Sequence, residues 1–136
     1  MLLNVRNLYF GYSSANLLFR NINISVDKGK IIALAGESGC GKSTLLNIIY
    51  GLIDWQSGEI YLEDERIFGP KANIVPGEKS MKLVSQHYDL MPYLTVTENI
   101  GKFISNTNLA EKQEKIAELL KVVALEDYAN VLPKNL

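Results

Sequence analysis

A glycine-rich segment at residues 36–43 carries the side chains best suited to chemistry in this 136-residue chain. It reads Gly-Glu-Ser-Gly-Cys-Gly-Lys-Ser. Glycines let such a loop turn back on itself with its backbone N–H groups pointing inward, where they can hold phosphate oxygens. Lys42 would place a cation against the outer phosphates, and Ser43 would offer a hydroxyl ligand to Mg²⁺. The pattern therefore predicts a binding site for a nucleotide phosphate.

Such a loop needs a strand before it and a helix after it, and the sequence supplies both. Residues 31–35 form a continuous apolar run, which is typical of a strand buried on both faces in a parallel sheet. From Lys42 onward the apolar residues recur with helical spacing, and Gly51 can end that helix. Residues 81–85 predict another strand.

Other segments predict a sheet before the loop and helices after it. Apolar and polar residues alternate at residues 3–10 and 18–26, which indicates two half-buried strands that pair antiparallel. Residues 58–63 predict a short strand. Residues 95–98 fit a capping box that opens a short helix, and Asn108 can cap a longer one.

Composition excludes several classes of protein. The formal net charge is −1, which argues against a nucleic-acid partner because such proteins usually carry a basic surplus. Cys40 is the only cysteine, so no intrachain disulfide can form and a reducing compartment is expected. No apolar run approaches the length of a membrane span, and no secretory signal is visible.

Several segments together resemble the nucleotide-binding subunit of an ATP-binding cassette (ABC) transporter. Residues 36–46 are similar to the Walker A segment of that family, and residues 57–60 to its next strand. Residues 83–92 resemble its Q-loop, and residues 94–100 the segment that follows. The resemblance implies an α/β fold: a truncated P-loop NTPase domain of the ABC type with an N-terminal antiparallel β subdomain.

The resemblance also implies a division of the chain. Residues 1–30 would form the antiparallel β portion, residues 31–86 the core from P-loop to Q-loop, and residues 87–136 the start of a helical subdomain.

The resemblance assigns roles to individual residues. Tyr12 would stack on adenine, with Tyr9 and Phe10 as alternatives close by. Ser43 and Gln86 would bind Mg²⁺. The full set expected to bind ATP is Tyr12, Gly36, Glu37, Ser38, Gly39, Cys40, Gly41, Lys42, Ser43, Thr44 and Gln86.

The implied function is that of an energy-coupling subunit that binds and hydrolyses ATP with Mg²⁺ to drive transport, of the import type. Its partners would be a transmembrane permease subunit, contacted through residues 86–94, and a second nucleotide-binding subunit. The implied location is cytoplasmic, peripheral on the inner face of the cell membrane through the permease.

A second hypothesis is a non-catalytic fragment that binds nucleotide or a partner without hydrolysis. In the resembled family a leucine at the place of Leu136 begins the signature motif. The Walker B acid, catalytic glutamate and switch histidine have no counterpart in these residues, so we expect the chain alone to be inactive. Nothing in the sequence resembles the acceptor pocket of a small-molecule kinase. The nearly neutral net charge of the chain disfavours a DNA-repair or chromosome ATPase.

Overall fold

The structure is a computed structural model that describes residues 1–13, 15–85 and 90–136. These residues form two compact units, Met1–Leu83 and Val84–Leu136, called here the first unit and the second unit. No helix among the described residues is both long and apolar enough to cross a membrane.

The first unit contains a four-stranded antiparallel sheet. Strand β1 (Leu3–Phe10) pairs with β2 (Phe19–Val26) on one side and with β3 (Ser57–Leu62) on the other, and β4 (Glu65–Ile67) pairs with β3. The alternation in β1 leaves Val5 fully buried in the core. The predicted antiparallel pairing of the first two strands is confirmed.

Glycine at position 58 lets β3 approach an irregular stretch of β1. The pairing register of β1 shifts after Val5 towards β2 and after Arg6 towards β3, and Asn7 adopts a left-handed backbone with φ 47°. A Cβ atom at Gly58, whose own φ is 102°, would lie only 2.5 Å from the Asn7 carbonyl oxygen. Only glycine therefore fits this close approach without displacing the strand.

Helix α1 (Lys42–Ile49) follows the glycine-rich loop, as the periodicity predicts. Its apolar face, with Ile48 fully buried, joins the core of the sheet. Gly51 ends the helix in a left-handed conformation with φ 84°, and the Leu52 N–H donates to the Asn47 carbonyl at 2.8 Å. This is the Schellman arrangement, so the predicted glycine cap is confirmed.

Two predicted strands are not strands in the structure. Residues 31–35 and 81–85 have no regular secondary structure, and within them Ile31 is 99% exposed and Val84 85% exposed. A strand forms only where a neighbour pairs with its backbone groups, and no strand of the described chain pairs with either segment. The prediction of strands at these two places is therefore wrong for this structure, although the apolar pattern is present.

The second unit contains two helices and two short 3₁₀ turns. Helix α2 (Val96–Gly101) begins at the predicted capping box of Thr95 and Glu98, and helix α3 (Leu109–Val122) begins at Asn108, whose side chain accepts hydrogen bonds from the next backbone N–H groups. The 3₁₀ turns are Glu126–Tyr128 and Pro133–Asn135. The core of this unit consists of Val96, Ile116 and Leu120.

Candidate nucleotide-binding site

The glycine-rich loop leads directly into the N-terminus of α1. Gly41 is the residue before the helix, its φ is 98°, and no side chain caps the helix there. The first backbone N–H groups of a helix have no acceptor within it, and they carry the positive end of the helix dipole. This end of the helix is therefore suited to binding an anion such as a phosphate.

Backbone conformation or close packing explains why glycine stands at three positions of the loop. Gly39 and Gly41 adopt positive φ values, 83° and 98°, which side chains disfavour. A Cβ at Gly41 would also lie 2.9 Å from the ring of Phe19. A Cβ at Gly36 would lie 2.8 Å from the sulfur of Cys40. The loop can thus hold this shape only with glycine or with shifts of its neighbours.

Lys42 spans the loop from the first turn of α1. Its Nζ donates to the carbonyl oxygens of Gly36 at 2.9 Å and Glu37 at 2.7 Å, and it lies 3.7 Å from the sulfur of Cys40. The ammonium charge is thereby held within the curve of the loop. Glu37, Ser38 and the rest of residues 31–40 are exposed.

Two hydroxyl residues, Ser43 and Thr44, follow the lysine. Ser43 is exposed, and an oxygen ligand of this kind suits Mg²⁺. The structure describes no group of three or more His, Cys, Asp or Glu side chains that could hold a metal ion by themselves. Gln86, the other predicted magnesium ligand, lies outside the described residues.

Tyr12 lies beside the helix that carries the loop lysine. Its hydroxyl is within hydrogen-bond distance, 2.9 Å, of the Thr44 hydroxyl, although 32 residues separate the two in sequence. Tyr12 is 76% exposed as a residue, and its ring meets that of Phe10 edge-on, with 5.1 Å between ring centroids. Phe10 is buried in the core and Tyr9 is half-buried, so Tyr12 is the most accessible of the three aromatic candidates.

Gln56 is a residue of this region that the sequence patterns did not single out. Its side-chain amide pairs with both backbone polar groups of Gly11, the residue before Tyr12. The contact joins residues 45 positions apart. Nothing in local periodicity or turn chemistry marks a glutamine for such a role, so only the tertiary structure could show it.

Asn99 is a second residue that the patterns did not assign, and it organises the start of the second unit. Its side chain is buried. The Oδ1 atom accepts from the Met91 N–H at 2.8 Å, and Nδ2 lies within 3.0 Å of the carbonyls of Met91, Leu94 and Thr95. This one side chain therefore shapes the described part of the segment predicted to meet a permease.

That predicted contact segment exposes apolar side chains. Leu90 is half-exposed and Tyr93 is 84% exposed, whereas Leu94 is half-buried. Tyr88, which belongs to the same predicted patch, lies outside the described residues.

Comparison with known proteins places the chain in one family. The family model described as ABC transporter matches residues 19–136. The spermidine/putrescine import ATP-binding protein PotA of Thermotoga maritima is 32% identical over 121 residues, which are 88% of this chain and 32% of that protein. The sn-glycerol-3-phosphate import ATP-binding protein UgpC of Bartonella quintana is 33% identical over 137 aligned positions, covering 99% of this chain and 38% of that protein. The chain thus spans about a third of the length of these curated relatives.

Solved structures show the same fold. A dimeric bacterial ABC transporter cassette matches with a TM-score of 0.75 at 26% identity, and the same cassette in a post-hydrolysis state bound to ADP and Pi matches with 0.73 at 25%. Each comparison covers 99% of this chain and 63% of the other. The match to the family model covers residues 19–136, which is most of the sequence. The chain therefore belongs to the ABC transporter family.

Proposed function

We propose that this chain binds MgATP and forms part of the energy-coupling subunit of an ABC transporter of the import type. The observation that carries the proposal is the position of Lys42, whose ammonium group is held inside the glycine loop at the N-terminus of α1. Two relatives are named as import ATP-binding proteins, and one similar cassette was solved with ADP and Pi.

In the proposed complex, the phosphates would lie against the backbone of residues 36–44, with Lys42 opposite the outer phosphates. Tyr12 would supply the aromatic surface for adenine, since its ring is exposed next to α1. Bound Mg²⁺ would neutralise phosphate charge, with Ser43 and Gln86 as its ligands from this chain.

The partners follow from the same proposal. A transmembrane permease subunit would contact residues 86–94, and a second nucleotide-binding subunit would complete the assembly, as one similar cassette is dimeric. The chain would then lie on the inner face of the cell membrane. The net charge of −1 gives no basis for a nucleic-acid partner.

A second candidate is nucleotide binding without hydrolysis. The family's Walker B acid and catalytic glutamate have no identified counterpart in this sequence, and a group of that kind is needed to orient water for attack on the outer phosphate. Binding and hydrolysis therefore need separate measurements.

The test is calorimetric titration of ATP, with and without Mg²⁺, into the chain and its Lys42→Ala variant. Charge-assisted hydrogen bonds are worth roughly 1.5–3 kcal/mol, so the variant should bind at least about tenfold more weakly. Lys30→Ala, at an exposed lysine outside the loop, is the matched control and should bind as the wild type does. Equal affinity of the wild type and Lys42→Ala would reject the assignment.

A further inference from the structure

The backbone of Gly11 is held by one side chain from a distant part of the sequence. The Gly11 N–H donates to Oε1 of Gln56 at 2.9 Å, and Nε2 of Gln56 donates to the Gly11 carbonyl at 2.7 Å. The backbone N–H of Gln56 also donates to the Tyr9 carbonyl at 3.0 Å. Gln56 therefore binds the end of β1 through both its backbone and its side chain.

Gly11 lies where the two sides of a turn approach each other closely. It is buried, and a Cβ atom there would lie 2.2 Å from the Asn16 carbonyl oxygen. The Leu18 N–H donates to the Phe10 carbonyl at 2.7 Å and closes the base of the turn. With no side chain of its own, Gly11 can be fixed only through its backbone groups, and Gln56 occupies both.

Tyr12 follows immediately and has few contacts of its own. The residue is 76% exposed, its ring lies edge-on to that of Phe10, and its hydroxyl lies within hydrogen-bond distance of the Thr44 hydroxyl. The direction in which such a side chain leaves the backbone depends on how firmly the preceding residue is held. We propose that Gln56 is a positioning residue for the adenine-binding tyrosine: by pairing with Gly11, it holds Tyr12 beside the phosphate-binding helix. This inference rests on the proposed function of Tyr12.

The chemistry of glutamine suits this position. A primary amide offers one acceptor and a donor side by side, which matches the N–H and C=O of one residue. Glutamate would keep the acceptor but place a second acceptor against the Gly11 carbonyl, and asparagine is one methylene shorter. The Gln56 segment is itself anchored, because the Trp55 indole N–H donates to the Gly58 carbonyl at 3.0 Å.

The experiment compares ATP with inorganic tripolyphosphate, which has no base, as ligands of the full 136-residue chain. Calorimetry is run on wild type, Gln56→Ala, Tyr12→Ala and the double variant. Gln113→Ala, the same change at an exposed glutamine of α3, is the matched control. Losing a pair of neutral hydrogen bonds should weaken ATP binding about three- to tenfold, and tripolyphosphate binding should be unchanged. In the Tyr12→Ala background, Gln56→Ala should cause no further loss.

Each other result counts against the inference. Equal losses for ATP and tripolyphosphate, or a loss that adds fully to that of Tyr12→Ala, would show that Gln56 acts on the fold in general. If Tyr12→Ala selectively weakens ATP and Gln56→Ala does not, the positioning role alone fails. If Tyr12→Ala itself leaves ATP binding unchanged, both the proposed adenine contact and this inference are rejected.

A second measurement does not depend on ligand binding. The Gly11 amide should be protected from hydrogen exchange in wild type and should exchange faster in Gln56→Met, whose side chain is of similar length but offers the Gly11 N–H only a weak acceptor. Should Gln56→Ala fail to fold by circular dichroism, the uncharged Gln56→Met replaces it in the titrations, with the same results expected. An unchanged exchange rate at Gly11 would overturn the proposed contact.

Discussion

Two carbonyl oxygens of the glycine loop accept hydrogen bonds from the ammonium group of Lys42. An ammonium group has three N–H donors, and among the described residues the neighbour of the third is a weak acceptor, the Cys40 sulfur at 3.7 Å. Lys42 can therefore hold the loop in shape and still offer one donor to a phosphate oxygen. The shape of the loop and the placement of charge depend on the same side chain.

At the residue scale, the sequence predicted the features that neighbouring residues form and missed the contacts between residues far apart in the chain. The glycine spacing, Lys42 and the following hydroxyl are contiguous, so their arrangement is encoded by backbone preferences near the loop. The contacts of Tyr12 with Thr44 and of Gly11 with Gln56 join residues 32 and 45 positions apart. No periodicity encodes such pairs, because they exist only once the sheet has formed.

The exposed ring of Tyr12 leads to a prediction about base recognition. Tyr12→Ala should weaken ATP binding about fivefold or more and leave inorganic tripolyphosphate unaffected, because stacking acts only on the base. Tyr12→Phe keeps the ring and loses only the hydroxyl contact with Thr44, so most of the affinity should remain. Calorimetric titration of both ligands measures the difference. Equal losses of affinity for the two ligands would show that Tyr12 does not stack on adenine, and the half-buried Tyr9 would be the next candidate.

At the scale of elements, the caps of the helices were predictable and two of the strands were not. The capping box of α2 and the glycine end of α1 need only residues a few positions apart. Residues 31–35 have the composition of a buried strand, yet a strand is defined by its neighbours, and the described chain pairs none with it. The expected boundaries after residues 30 and 86 stay predictions.

The capping box of α2 predicts a dependence of stability on pH. Hydrogen bonds from the backbone N–H and the hydroxyl of Thr95 lower the pKa of Glu98 below its ordinary value of 4.5. A carboxyl group whose pKa is lower in the folded state stabilises the fold above its unfolded pKa, and this contribution is lost as the pH falls through the folded pKa. The melting temperature of wild type should therefore exceed that of Glu98→Gln above pH 4.5, and the two should converge in more acidic buffer.

Thr95→Ala provides the control for this comparison. It removes the hydroxyl donor and leaves the backbone donor, so the effect of Glu98→Gln on the melting temperature should be smaller in that background. A difference in melting temperature that stays constant across the pH range would contradict the role assigned to the ionised carboxyl group.

Asn99 carries a prediction about the second unit. Asn99→Ala leaves the Met91 N–H and several carbonyl groups without their side-chain partner, and unpaired buried groups cost roughly 1–3 kcal/mol. Urea unfolding should show a loss of stability in that range. Asn130→Ala, at an exposed position of the same unit, should change stability by less than about 0.5 kcal/mol. Equal stability of the two variants would show that the Asn99 contacts contribute little.

At the scale of the whole molecule, several apolar side chains on irregular segments of the described chain are exposed. Ile31 is 99% exposed and Val84 85%, and Ile74 on another irregular segment is 93% exposed. Apolar surface without cover favours association with another chain. The fold family was predictable because its motifs are contiguous in sequence. The burial of these apolar residues depends on tertiary contacts, which no single segment encodes.

We predict that the 136-residue chain associates with itself and hydrolyses ATP at no useful rate. Light scattering should show species larger than a monomer, and Ile31→Asp should reduce their amount because it places a charge on the exposed apolar segment. Phosphate release should not exceed that of Lys42→Ala. Turnover that Lys42→Ala abolishes would show that this chain contains its own catalytic base, and a monomer with a cooperative melt would show that the exposed segments are tolerated.

The indole that anchors the Gln56 segment also gives the molecule a built-in optical reporter. Trp55 is the only tryptophan of the chain, it is half-buried in the first unit, and its N–H is hydrogen-bonded to the Gly58 carbonyl. Its emission wavelength therefore follows the solvation of the first unit alone, whereas the helical ellipticity comes mainly from α2 and α3 in the second unit. Melting curves recorded by the two signals would coincide if the units unfold together and separate if each unfolds by itself.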